Sequence, residues 1–198
     1  MNPSNLSRMF FSESAGWPDL ARLHPPVAKL FLTFVLPMSL VPPVMFAYSV
    51  LVTPGAVFPE LAPQMTTLEA AVVALLFLAA ELAMVPLMAM LIQQLGDLVD
   101  VRPPYDDAFT LAAIAPAPLW LSPLALLVPS MPVNLLVLAV AWVGSAALMR
   151  HGVRPLFRLE DPAKSHLMAN VITLAGVLAW IALMVVLVML LSVIMGWR

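Results

Sequence analysis

The chain has 198 residues, 63% of them hydrophobic and only 10% charged, with a formal net charge of −2 and a mean hydropathy of +1.01. Long apolar runs separated by short polar stretches exclude a water-soluble domain, and the absence of cysteine excludes disulfides, thiolate metal sites and a cysteine nucleophile. His24, His151 and His166 are scattered without ligand spacing, so no metal, cofactor or nucleic-acid partner is expected.

The first 26 residues mix Leu6, Met9, Phe10, Trp17, Leu20 and Leu23 with Arg8, Glu13, Asp19 and Arg22, interrupted by Gly16 and Pro18. This amphipathic pattern predicts a cytoplasmic segment lying on the membrane surface, with a docking peptide for a soluble partner as the alternative. The order of charged, apolar and small residues that marks a signal peptide is missing from this stretch.

A spanning helix needs about 20 apolar residues, and five stretches meet or approach that: about 27–52, 67–95, 107–128, 131–149 and 167–196. The expected fold is an all-α integral membrane protein, a bundle of five transmembrane helices occupying residues 27–198. Pro37, Pro42 and Pro43 predict a kink or brief unwinding near the middle of the first span. The second, "TLEAAVVALLFLAAELAMVPLMAMLIQQL", is regular, with Glu81 at its centre.

The third span, "DDAFTLAAIAPAPLWLSPLALLVPS", carries Pro116, Pro118, Pro123 and Pro129. Each of the first three removes a backbone donor and orphans the carbonyl four residues earlier, those of Ala112, Ile114 and Leu119. A break at "APAP" is therefore expected, with a first half from about Asp107 to Ile114 capped by Asp106 or Asp107, and a second beginning near Pro118. Broken backbone is tolerated only where protein or a water-filled cavity surrounds it, which places this span centrally.

Glu81, the "APAP" break with Trp120 beyond it, and Ser39 between its prolines fall at one membrane depth. Glu81, Ser39, Pro116, Pro118 and Trp120 form the candidate intramembrane site, with the positive start of the second half-helix as a seat for the Glu81 carboxylate. An intramembrane acid is a functional candidate; the structural alternative is a protonated or hydrogen-bonded residue that holds the broken helix. In the fourth span Ala141 and Ser145, with Gly144, allow close helix approach. Trp120, Trp142 and Trp180 lie inside their spans and read as packing, whereas Trp197 suits an interfacial belt.

Orientation follows from the basic residues. Arg8, Arg22, Lys29, Arg102, Arg150, Arg154, Arg158 and Lys164 all fall on one side of a five-span chain, with Arg198 the exception. The N-terminus is therefore expected in the cytoplasm and the C-terminus in the periplasm. Arg150, Arg154, Arg158 and Lys164, in "RHGVRPLFRLEDPAKSH", either set topology or grip anionic lipid head groups.

The stretch "DDAFTLAAIAPAPLWLSPLALLVPSMPVNLLVLAVAWVGSAALMRHGVRPLF" resembles the bacterial branch of the Yip family of membrane domains, named for Ypt-interacting proteins. "FVLPMSLVPPV", preceded by "SAGWPDLARLHPP", is similar to it as well, so the resemblance runs from about Phe10 onward. It implies a five-helix domain with the same orientation as the charge count, in a bacterial inner membrane. Eukaryotic members are linked to Rab-type GTPases and vesicle traffic. This chain's short N-terminal segment gives no extended region to hold a GTPase, so that partner is not carried over.

The expected function is that of a non-enzymatic membrane protein acting by association with lipids, with a membrane-protein partner or with itself. The alternative is a small carrier or channel for lipid or solute that uses the broken helices and Glu81. A third reading, an intramembrane hydrolase, is disfavoured by chemistry, because Ser39, Ser122 and Ser145 have no histidine or lysine at their depth to act as a base.

Overall fold

The computed structural model describes residues 9–14, 16–57 and 65–196. Leu6, Arg8, Trp197, Arg198 and much of the loop after the first span lie outside these residues. Five helices are long and apolar enough to cross a membrane: Val27–Leu51, Thr67–Val99, Tyr105–Leu127, Met131–Phe157 and Pro162–Ile194. The architecture is the expected all-helical five-span bundle, and the described residues contain no strand.

In the first span the prolines are accommodated by changes of helix type. The helix widens to a π-turn over Phe31–Val35, just before Pro37, and a single turn residue, Leu40, then separates Leu36–Ser39 from Val41–Leu51. A π-turn relieves the clash between a proline ring and the preceding turn. Pro42 and Pro43 open the last segment, where a missing N–H costs little.

The second span starts on a capping box. The Thr66 amide donates to the Glu69 carboxylate at 2.7 Å, and the Glu69 amide donates to Thr66 Oγ1 at 3.3 Å.

The third span is divided as its prolines require, into Tyr105–Ile114 and Ala117–Leu121, continued by a 3₁₀ stretch over Ser122–Leu127. Its start differs from expectation. Pro104 holds the capping position, so Asp106 and Asp107 are first-turn residues and not caps. Proline is pre-set for helix entry, and the acids still favour the positive end. Of the carbonyls orphaned by proline, that of Leu119 is recovered by the Ser122 hydroxyl at 2.9 Å.

The break also exchanges neighbours. Tyr105–Ile114 packs on the second and fourth spans and on Val27–Val35 of the first, whereas the second half leaves the second span and packs on the fourth span and on Leu36–Leu51 of the first. The fifth span lies against the second and fourth.

The fourth and fifth spans are longer than the charge pattern suggests. The fourth continues past Met149 to Phe157 and the fifth begins at Pro162, so most of the basic stretch is helix. Leu148, Gly152, Val153, Leu156 and Phe157 keep one face of that extension buried. Helical burial, not hydropathy, sets its end.

Candidate functional site

Ser39, Glu81 and Ser145 are 0%, 4% and 2% exposed, and Ser39 Oγ, Glu81 Oε2 and Ser145 Oγ have no hydrogen-bond partner. A buried polar group without a partner costs free energy comparable to a lost hydrogen bond. Three such atoms lie in three different spans of an apolar bundle. The expected seat for Glu81 on the second half-helix is not formed, since its Oε2 accepts no bond from the amides there. Depth along a sequence does not specify the direction a side chain points around its helix, and Tyr105–Ile114, the half that ends before the seat, is the part packed on the second span.

Contacts with the fifth span fix the heights of Glu81 and Ser145 along the bundle, although the second and fourth spans are not among those packed on each other. Along the fifth span, Lys164 reaches the Val99 carbonyl at 3.0 Å, and Val72 and Leu76 share a groove with Val186 and Leu190, which sets Glu81 beside the residues just after Trp180. From the fourth span, Trp142 stacks edge-on against Trp180 with centroids 5.0 Å apart, and the Met149 side chain lies on Gly176, which sets Ser145 beside the residues just before Trp180. Glu81 and Ser145 therefore differ in height by about one helical turn, roughly 5 Å. A methyl at Gly144 would sit 3.4 Å from the Pro118 ring, so the break is level with Ser145. The Leu36–Ser39 segment packs on both the second span and Ala117–Leu121. Trp120, 6% exposed, donates its amide to the Pro116 carbonyl and belongs to the apolar core beside this level.

A second constellation closes the basic end of the bundle. The helix Trp17–Leu23 packs on the fourth span, with Trp17 fully buried and its indole N–H donating to the Met9 carbonyl at 3.2 Å. Met9, Trp17 and Leu20 belong to the main core, so the segment expected on a membrane surface is folded into the bundle end. Gly152 makes this possible, because a methyl there would come within 2.8 Å of both the Trp17 ring and Leu111.

At the end of that helix His24 bridges two elements. Its Nδ1 lies 3.1 Å from Asp107 Oδ1 and its Nε2 3.1 Å from a guanidinium nitrogen of Arg158. Arginine only donates, so Nε2 accepts and Nδ1–H donates to Asp107, which fixes a neutral tautomer in this arrangement. Arg154 pairs with Glu13 at 3.4 Å, and Lys164 also approaches Asp100 at 3.4 Å. Three of the four basic groups considered for lipid contact thus bond to protein, while Arg150 is exposed. On the exposed loop, the hydrogen bond and charge of Asp97 hold the Arg102 guanidinium above its ordinary pKa.

The sequence reading missed Trp17, Gly152, His24 and Ser145 as site or closure residues. Ser145 had a signal as one of a small-residue pair, and Trp17 and Gly152 stood in the stretches that carry the family resemblance, but His24 and Asp107 are 83 positions apart and no local pattern links them.

A bundle of five spans, a divided third helix and a tryptophan-anchored N-terminal helix accords with comparison to known families, in which the model of the Yip1 domain matches residues 7–196. The chain belongs to the Yip1 domain family. No curated protein and no solved structure matches it. The Yip1 match covers the divided span, the basic end and the N-terminal helix together, so these are parts of one domain.

Proposed function

We propose that this Yip1-family protein is a non-enzymatic organiser or accessory subunit of a bacterial inner membrane, acting by association with membrane proteins, lipids or further copies of itself. The observation that carries the reading is the fifth span. Its most apolar stretch buries nothing inside the bundle, and Leu174, Leu178, Ile181, Val185, Val188 and Met189 are exposed. A helix apolar all round that supports its own bundle on one side only presents a broad surface to lipid or to another membrane helix.

Chemistry supports the same reading. Ser39 and Ser145 are buried without a base, and the His24 ring is held between Asp107 and Arg158 at the bundle end. The basic ends gather on one face of the bundle, which supports a cytoplasmic N-terminus and a periplasmic C-terminus.

Purification in mild detergent, identification of co-purifying proteins, and reconstitution of the pure protein in liposomes test the proposal. A stoichiometric partner or a cross-linked oligomer through the fifth span, with no lipid or solute flux, is the expected outcome. Robust flux abolished by Glu81→Gln would replace association with the carrier alternative.

A further inference from the structure

The N-terminal segment keeps one large apolar group out of the bundle. Met9 is buried and Phe10 packs against the main core, but Phe11, beside Phe10 with ring centroids 6.5 Å apart, is 85% exposed. A lone apolar side chain facing water is unremarkable, so the solvent at its level decides its meaning. Three contacts with the fourth span set that level. Glu13 pairs with Arg154, the Trp17 ring lies against Gly152, and the Phe10 ring reaches Gly144.

The last of these contacts is a shared notch. A methyl on Gly144 would lie 3.4 Å from Phe10 Cε1 and 3.4 Å from Pro118 Cγ, so the phenyl ring and the break in the third span face the same gap left by the missing side chain. At the rise of an α-helix Gly144 lies about 9 Å below Arg150, the first charged residue of the fourth span, and about 12 Å below Gly152. The polar groups of the segment stay on the other side. The Ser12 and Ser14 hydroxyls bond each other at 2.7 Å, Glu13 turns to Arg154, and Ser14 shares a shallow cleft with Arg158 and Glu160. The Met9 carbonyl accepts from the Trp17 indole, so that turn carries its own donor. Apolar groups below and polar groups above suit a segment seated about 5–10 Å into the boundary between head groups and acyl chains. Continuity fixes what covers it. Val140 and Val143, beside Gly144, are exposed on a membrane-spanning helix. Close packing of a second membrane helix favours small residues at the contact, whereas Val140, Val143 and Phe11 present bulky ones, as a lipid-facing surface does.

We infer that Phe10 and Phe11 form a wedge in the leaflet at the basic end of the bundle, with Phe10 seated in the notch between Gly144 and Pro118 and Phe11 in contact with lipid acyl chains. The amphipathic segment thus meets the membrane through Phe11 while Trp17 holds it to the bundle. A docking peptide for a soluble partner would need this ring above the head groups, not below Arg150. The wedge is independent of what the fifth span associates with.

The test uses the full-length protein in liposomes of phosphatidylethanolamine and phosphatidylglycerol. The chain has no cysteine, so Phe11→Cys, Ser14→Cys and Val143→Cys each accept a single nitroxide. Collision with oxygen, which concentrates among acyl chains, is compared with collision with a nickel chelate, which stays in water. Phe11 is largely exposed, so its replacement removes little packing. Position 11 is expected to match position 143, with oxygen access several-fold above nickel access, and position 14 to show the reverse. Adding Phe10→Ala should unseat the segment and raise nickel access at position 11 several-fold. Nickel access at position 11 equal to that at position 14 would overturn the wedge. Low access to both reagents would overturn it too, by putting protein over Phe11 in place of lipid. An unchanged ratio after Phe10→Ala would overturn the notch as its seat.

Discussion

The Trp17 indole occupies the space that a side chain at position 152 would need: a methyl on Gly152 would lie 2.8 Å from Trp17 Cη2. One glycine in the fourth span thus admits the anchor of the N-terminal helix. Alanine is the better helix former by about 1 kcal/mol, so helix propensity alone predicts that Gly152→Ala stabilises. Overpacking against a buried ring and Leu111 costs about 1–3 kcal/mol and should win. Gly152→Ala is expected to lower the melting temperature of the purified protein and to expose the 16–23 segment to protease; a raised melting temperature would show that the indole can move aside cheaply.

His24 and Asp107 join the end of the N-terminal helix to the first turn of the third span. Asp107 is 5% exposed at its side chain, so His24→Ala leaves a buried carboxylate short of a donor, a loss of about 1–3 kcal/mol. Asp107→Asn keeps an acceptor and should cost less. In a double-mutant cycle with Asp107→Ala the two alanine changes should be non-additive, with a coupling of about 1 kcal/mol. Strict additivity in chemical or thermal melts would deny the bond any share in stability.

Arg158 gives a prediction whose sign separates backbone from side chain. It ends the fourth span at φ 53, in the left-handed region, and its guanidinium donates to His24. Alanine and glycine both remove that hydrogen bond, but only glycine adopts the backbone without the roughly 1–2 kcal/mol cost of an L-residue. Arg158→Gly should therefore melt higher than Arg158→Ala. Equal melting would mean that the tight link from Arg158 to Asp161 relaxes freely.

The broken third span and the altered first were legible because proline acts through covalent geometry: no context restores the missing donors of Pro116, Pro118 or Pro37. Other features were hidden for equally physical reasons. The amphipathic pattern around Trp17 is the same whether its apolar face meets lipid or the end of a bundle, and the choice rests on Gly152, more than a hundred residues away. Charge obscured the ends of the fourth and fifth spans, because Arg150, Arg154 and Lys164 continue on helices that outrun the apolar layer. The depth of Glu81 could be counted, but its direction around the helix could not, and so its expected seat on the half-helix was misplaced and its lack of a hydrogen-bond partner was not foreseen.

The prolines of the break can be tested by healing it. With alanine at both 116 and 118, the amides absent in the native chain would again serve Ala112 and Ile114, and the third span would run on as one helix. A straight helix would continue along the second span instead of leaving it at the break, so the packing of Ala117–Leu121 on Leu36–Ser39 would be lost. Pro116→Ala with Pro118→Ala should raise helix content slightly by circular dichroism while lowering the melting temperature. An increase in both would show that the exchange of neighbours has another origin.

Orientation is open to a direct chemical test because the chain has no cysteine. Ala56 and Glu160 are exposed and lie at opposite ends of the bundle, one after the first span and the other between the fourth and fifth. With the basic end in the cytoplasm, Ala56→Cys should react with a membrane-impermeant maleimide in intact cells whose outer membrane is opened. Glu160→Cys should react only once the inner membrane is permeabilised. Position 160 adjoins Arg154 and Arg158 around one shallow cleft, so its labelling reports the side on which the His24, Asp107 and Arg158 bridge resides. The reverse pattern would place the basic end outside, against the positive-inside bias, and would put the bridge in the periplasm. Labelling of both cysteines in intact cells would mean a mixed topology, which a bias of eight basic residues to one opposes.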